Sequence, residues 1–202
     1  MKPKLAVRVV AEFLGTAFLV AAVVGSGIMA ERLSGGNMAL ALLANTMATA
    51  AALMAPILTF GPISGAHFNP VVTLSDAIEG GLSWPEATLY AMAQVSGGIS
   101  GAILAHGMFG LHPIFFSHQA RSGPAQMLSE FIATFGLLLV IWGCSRSRPN
   151  AVPFAVACYI TLPIGLPLPH RLRILQSQLR DRSVIRLPGS GRLMLCPSWL
   201  LK

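Results

Sequence analysis

Residues 61–81 read GPISGAHFNPVVTLSDAIEGG and lie between two long apolar runs. The first part holds Gly, Pro and Ser, which suit irregular backbone. Asn69 is a good N-cap, Pro70 suits the first helical position because its missing N–H is not needed there, and a glycine pair at 80–81 ends the segment. The pattern predicts a loop followed by a helix over 70–78, about 13 Å long at 1.5 Å per residue. Such a helix covers half of a bilayer's hydrocarbon core.

Apolar runs long enough to cross a membrane lie on both sides of this segment. They cover residues 8–29, 38–59, 84–108 and 127–144, and a partial run covers 151–161. Hydrophobic residues make up 54% of the 202 and charged residues only 10%, against about a quarter charged in soluble domains. The sequence therefore predicts an all-α membrane protein with a re-entrant loop and half-helix at 61–79. Irregular backbone inside a membrane is stable only where it is buried in protein or lines a cavity.

The chain contains an internal repeat. Residues 11–16, AEFLGT, match residues 129–134, SEFIAT. Three spans separate the copies, so they have opposite orientations, as in channels and transporters built from inverted repeats. Glu12 and Glu130 are thereby placed inside apolar spans, where a charge requires protein or water around it. They are interpreted either as a proton or ion relay or as buried acceptors for backbone N–H groups of re-entrant loops, and we favour the second.

The stretch 64–73, SGAHFNPVVT, resembles the signature SGxHxNPAVT of the aquaporin and glycerol-facilitator (major intrinsic protein) family, with Val71 where alanine is usual. The AEFLGT motif and the AQVSGG motif at 93–98 also resemble that family, and the similarity covers residues 6–161. The resemblance implies a right-handed six-span bundle in which two inverted half-helices meet at paired Asn-Pro-Ala motifs. It also implies a homotetramer with one pore per subunit.

The resemblance also implies roles for single residues. Asn69 would be the first pore asparagine, with Pro70 and Val71 completing its motif and His67 beside the pore loop. Glu12 and Glu130 would brace the two loops. The filter position of the second span, twenty residues before Asn69, falls at Thr49, and so small a residue favours a wide filter.

These features favour a passive channel for small uncharged solutes: water, glycerol-like polyols or neutral metalloid hydroxides. The positive end of the half-helix would repel cations, while the amide of Asn69 would bind a neutral molecule. An ion-coupled secondary transporter is the alternative, because it would share inverted repeats and intramembrane carboxylates. Neither a nucleophile with its base nor a metal-ligand spacing is found in the sequence, so we predict no catalytic residue, no metal and no cofactor.

The family pattern ends after Thr161. Residues 162–202 hold seven of the fourteen Lys and Arg residues but one of the seven acidic residues. They are expected to form an aberrant, disordered basic tail or a membrane-surface tail, not a nucleic-acid arm. Back-translation of residues 162–178 in a shifted frame permits AYWFTASTSFANPAVT, which contains the missing Asn-Pro-Ala motif. We hypothesise a frameshift near Thr161 that leaves the second inverted repeat incomplete and this chain inactive.

Basic residues indicate the orientation. Lys2, Lys4 and Arg8 precede or begin the first span, and Arg146 and Arg148 follow the fourth. This distribution predicts a multi-pass protein of the inner (plasma) membrane with a cytoplasmic N-terminus. The membrane domain is assigned to residues 1–161.

Overall fold

The computed structural model describes residues 3–112 and 124–161, together with two two-residue strands further along the chain. The elements are α1 (Leu5–Leu33), α2 (Met38–Ser64), α3 (Pro70–Ile78), α4 (Trp84–Met108), α5 (Pro124–Ser147), a 3-10 turn (Pro149–Ala151), α6 (Val152–Thr161), β1 (Val184–Ile185) and β2 (Met194–Leu195). The strands pair antiparallel with each other. Apart from them, the expectation of a disordered tail at 162–202 lies outside the described residues.

Four of the described helices, α1, α2, α4 and α5, are long and apolar enough to cross a membrane. The prediction of an all-α membrane protein is confirmed for residues 3–112 and 124–161. The short helix α3 has the predicted limits because Asn69 caps it and Pro70 opens it. α4 also has its predicted limits, and a capping box of Ser83 and Glu86 fixes its start.

The expectation of irregular backbone from Gly61 was wrong for its first four residues. Helix α2 continues through Pro62 to Ser64 and ends at Gly65, which adopts a left-handed conformation with φ 94°. A continued helix keeps backbone groups paired where water is absent, and this outweighs the N–H that Pro62 lacks. The loop is therefore confined to residues 65–69.

Helices α1 and α4 cross at glycines. A Cβ on Gly97 would collide with the carbonyl oxygen of Phe13, and one on Gly101 with that of Ala17. The two backbones therefore approach as closely as small residues allow, which is the usual basis of helix association in lipid. This contact sets the position of α1, which carries Glu12, relative to α4.

Gly101→Ala is expected to lower the free energy of unfolding by about 1–3 kcal/mol, because the added methyl must push two backbones apart. Thermal unfolding in detergent, followed by circular dichroism, measures the change. Gly107→Ala is the matched control, since a Cβ there meets no described atom within 4 Å. Equal unfolding midpoints for the two variants would contradict a close crossing at Gly101.

Candidate functional site

Helix α3 begins at a capping asparagine. The side-chain Oδ1 of Asn69 accepts a hydrogen bond from the backbone N–H of Val71 at 2.9 Å. Its Oδ1 is thus committed to the cap, while its amide nitrogen donates to no group in the described part of the chain. The free N–H groups at the start of a helix carry the positive end of its dipole, equivalent to about half an elementary charge.

The loop before α3 has an unusual backbone. Ala66 and Phe68 have φ values of 52° and 49°, a left-handed conformation that residues other than glycine rarely adopt. The carboxylate of Glu12 accepts the N–H of His67 at 3.1 Å and that of Phe68 at 2.8 Å. These bonds to a charged acceptor are strong ones, and they offset the strain of the two left-handed residues.

Two side chains complete the environment of Glu12, which is fully buried. The hydroxyl of Ser64 donates to it at 2.6 Å and the amide of Gln94 at 2.8 Å. The same amide nitrogen of Gln94 donates to the hydroxyl of Thr73 on α3 at 2.9 Å. A buried charge is tolerated when such donors replace water, and here they come from α2, the loop and α4.

A second set of polar residues links this loop to the first turn of α1. The buried Tyr90 hydroxyl donates to the carbonyl of Ser64 at 2.9 Å and accepts from Arg8 Nε at 2.9 Å. Arg8 also pairs with Glu86 at 2.8 Å. The ring of His67 lies edge-on to Tyr90, and its Nδ1 is 3.2 Å from the Thr73 hydroxyl.

From the sequence, no role in this site was assigned to five of the partners: Arg8, Ser64, Thr73, Tyr90 and Gln94. The available signal was polarity within apolar helices, since Arg8, Tyr90 and Gln94 lie in long hydrophobic segments. The sequence does not show which of them contact each other, because the partners lie far apart in the chain: Arg8 and Tyr90 are separated by 82 positions.

The loop and α3 border a cavity of about 890 Å³. Thr49 from α2 lines this cavity together with His67 and Asn69, so three predicted site residues are brought to one space. Apolar side chains of α1, α2, α5 and α6 form much of the remaining wall: Leu19, Val20, Val23, Leu53, Ile57, Leu137, Leu138, Ile141, Val156 and Ile160. Glu12 is not among the lining residues.

Three predicted site residues are placed elsewhere. Val71 is 42% exposed and does not line the cavity, whereas Val72 does, because consecutive helical side chains point about 100° apart. Pro70 opens α3 and is exposed outside the lining. Glu130 is exposed on α5 and is not brought to Glu12.

No described group donates a hydrogen bond to the backbone carbonyls of residues 65–68. Within the described residues, no group of three or more metal-ligating side chains comes together. The site therefore offers an amide donor, carbonyl acceptors and an otherwise largely apolar wall, which suits a small neutral molecule that forms hydrogen bonds.

Comparison with known proteins decides the family. The sequence profile of the Major intrinsic protein family matches residues 1–168. The chain belongs to this family. The match includes seven residues past Thr161, slightly beyond the limit expected from the motifs. The predicted resemblance is thereby confirmed.

Individual major intrinsic proteins are similar over different lengths. The chain is 53% identical to Aquaglyceroporin AqpS of Rhizobium meliloti over 154 residues, which are 76% of this chain and 66% of AqpS. It is 34% identical to Aquaporin NIP1-3 of Oryza sativa subsp. japonica over 143 residues, 70% of this chain and 49% of that protein. It is 29% identical to the Glycerol uptake facilitator protein of Streptococcus pneumoniae over 207 aligned positions, 89% of this chain and 85% of that protein.

The chain thus spans slightly less than two thirds of AqpS and about half of NIP1-3. Major intrinsic proteins are multi-pass membrane proteins and channels rather than enzymes, in agreement with the predicted classes. The comparisons give no support to the alternative of an ion-coupled transporter.

Proposed function

We propose that the protein is built as a passive channel for small uncharged solutes, with the cavity as part of its permeation path. The observation that carries the proposal is the position of Asn69 at the positive end of a half-length helix, lining that cavity. The amide nitrogen of Asn69, which donates to no group among the described residues, would donate to a solute oxygen. The carbonyls of residues 65–68 would accept from its hydroxyls.

Charge is the basis of the proposed exclusion of ions. The amino end of α3 raises the energy of a cation near Asn69, and a small ion would lose hydration that an apolar wall does not replace. A neutral solute loses far less. The same field disfavours an excess proton, so permeation does not require coupling to an ion.

Glu12 is proposed to brace the loop rather than to relay protons. Four donors surround its carboxylate, from Ser64, His67, Phe68 and Gln94, and it lies outside the lining of the cavity. Glu130 is proposed to perform the equivalent task for a second loop, whose residues are not within 3–112 or 124–161.

The proposed solutes are glycerol-like polyols and neutral metalloid hydroxides, with water as a further passenger. Thr49 is a small side chain at a position that would be bulky in a narrow filter, and it lines the cavity. The shifted reading of residues 162–178 places valine after Asn-Pro-Ala, where the family usually has arginine. The names of two relatives, an aquaglyceroporin and a glycerol uptake facilitator, support the same class of solute.

The second half of the pore is proposed to be encoded in the shifted frame after Thr161. In the 202-residue chain the cavity would then lack the wall that the second half-helix supplies. The restored protein is proposed to assemble as a homotetramer in the plasma membrane with a cytoplasmic N-terminus. The basic residues beside α1 and α5 support that orientation.

Solute uptake into proteoliposomes of the frame-restored protein tests passive permeation. Labelled glycerol is expected to equilibrate and never to concentrate inside, because no free-energy source is coupled to its movement. Ionophores that collapse proton or sodium gradients are expected to leave the rate unchanged. Uptake above the external concentration, lost on addition of an ionophore, would favour the ion-coupled transporter.

A further inference from the structure

The cavity has a charged rim where α3 and α5 end. Glu79, the C-cap of α3, lines the cavity. Arg146 lies in the last turn of α5, and its Nη2 is 3.2 Å from Glu79 Oε1. Ser145, the neighbour of Arg146, also lines the cavity. The ion pair therefore links the ends of two helices that border the cavity, at side chains that are exposed to solvent.

This ion pair is open to solvent. The side chain of Arg146 is 72% exposed and that of Glu79 is 38% exposed. Exposed pairs of this kind contribute little to folding and are weakened by salt. The pair therefore contributes little to the stability of the fold. Because it forms and breaks easily, it is suited to controlling the access of solutes to the cavity.

The rim also has a distinct chemistry. Asp76, one turn before Glu79, lines the cavity as well, and the carboxyl end of α3 adds the negative end of its dipole. Arg146 is the described cation that pairs with this acidic rim. Breaking its bond to Glu79 would widen the opening and leave it negatively charged.

We propose that the Glu79–Arg146 ion pair restricts access to the cavity from this side. The pair, called the bar below, slows the entry of solutes that are larger than the gap beside it. The inference rests on the proposed permeation path. It adds a second selective element, formed by α3 and α5, to the region around Asn69.

Cysteine accessibility tests the bar without requiring transport. Ile141 lines the cavity one turn deeper than Ser145, so Ile141→Cys places a thiol behind the bar. The background is the full 202-residue chain with Cys144→Ser, Cys158→Ser and Cys196→Ser, reconstituted in lipid nanodiscs. The measured quantity is the labelling rate with a bulky neutral methanethiosulfonate reagent.

Arg146→Gln is expected to raise that labelling rate about two- to fivefold, the range that corresponds to loss of an exposed ion pair. About 1 M salt is expected to raise the rate of the parent toward that of the variant, since screening weakens the pair. Exchange of the charges, Glu79→Arg with Arg146→Glu, is expected to restore slow labelling.

Two matched controls separate the bar from general effects of charge. Arg148→Gln removes the same charge two residues later, but Arg148 lines a different groove with Cys158 and Tyr159, so labelling behind the bar should not change. Ser147→Cys places the thiol on an exposed residue outside the lining of the cavity, and its labelling rate should not rise with the Arg146→Gln substitution.

The outcomes are distinguishable. Equal labelling of the parent and Arg146→Gln would overturn the bar and leave the proposed channel intact. A thiol at position 141 that reacts in neither protein would show a closed or dry cavity and would overturn both the path and the bar. If Ile141→Cys yields aggregated protein, Leu138→Cys, which lines the cavity another turn along α5, replaces it as the probe.

Discussion

Proteoliposomes with the frame-restored protein are expected to pass glycerol at least about tenfold faster than protein-free liposomes, while the 202-residue chain stays near the lipid background. Without a pore, glycerol must shed water from its hydroxyl groups, at about 2 kcal/mol or more for each one. A path that keeps even one hydroxyl group hydrogen-bonded lowers the free-energy barrier to permeation by that amount. The rate of permeation then rises more than about tenfold.

The difference between the two forms comes from the missing wall. Asn69 supplies one donor at the end of α3, and a second half-helix is needed to enclose a solute opposite it. Stopped-flow light scattering with glycerol, water and a metalloid hydroxide measures both forms at matched protein density. Rapid permeation through the 202-residue chain would show that one half-helix suffices, and a gene without Asn-Pro-Ala in the shifted frame would refute the frameshift.

Glu12→Leu is expected to abolish stable folding of the described bundle. It removes the shared acceptor of four donors, three of them from Ser64, Phe68 and Gln94 and the fourth from the N–H of His67. Each buried polar group left without a partner costs about 1–3 kcal/mol. The sum exceeds about 4 kcal/mol, a large part of a typical free energy of unfolding.

Glu12→Gln separates the hydrogen bonds from the charge. The glutamine keeps one carbonyl acceptor but turns an NH₂ group toward donors, so an intermediate loss of stability is expected. Both substitutions are made in the 202-residue chain, where Glu130→Gln is the matched control, because the side chain of Glu130 is exposed there and the change should lower the unfolding midpoint little. The measurement is thermal unfolding in detergent by circular dichroism, and a Glu12→Leu protein with an unchanged midpoint would contradict the bracing role.

Local signals were sufficient where a helix end depends on its own residues. The start of α3 follows from Asn69 and Pro70, and the bounds of α4 follow from the length of its apolar run. The predicted end of α2 was too early, because glycine and proline, here Gly61 and Pro62, commonly end helices. In the folded chain, helix geometry persists to Ser64 and stops at Gly65, where a positive φ is accessible without strain.

The hydrogen-bonded network could not be predicted in the same way. The sequence marks Glu12, Tyr90 and Gln94 as polar residues in apolar helices, and polarity alone requires that each has a partner. The choice of partner depends on the crossing of α1 and α4, which Gly97 and Gly101 permit. Placement of Val72 rather than Val71 against the cavity likewise depends on how α3 is rotated.

The sequence by itself determined the membrane class, the half-length helix with its capping asparagine and the family to which the chain belongs. These depend on hydrophobic run length and on residues adjacent in the chain, which composition and spacing record directly. The tertiary structure decided which donors surround Glu12, which side chains line the cavity and that Glu79, at the edge of the cavity, pairs with Arg146. Those outcomes depend on helix rotation and crossing, which result from packing among residues far apart in the chain.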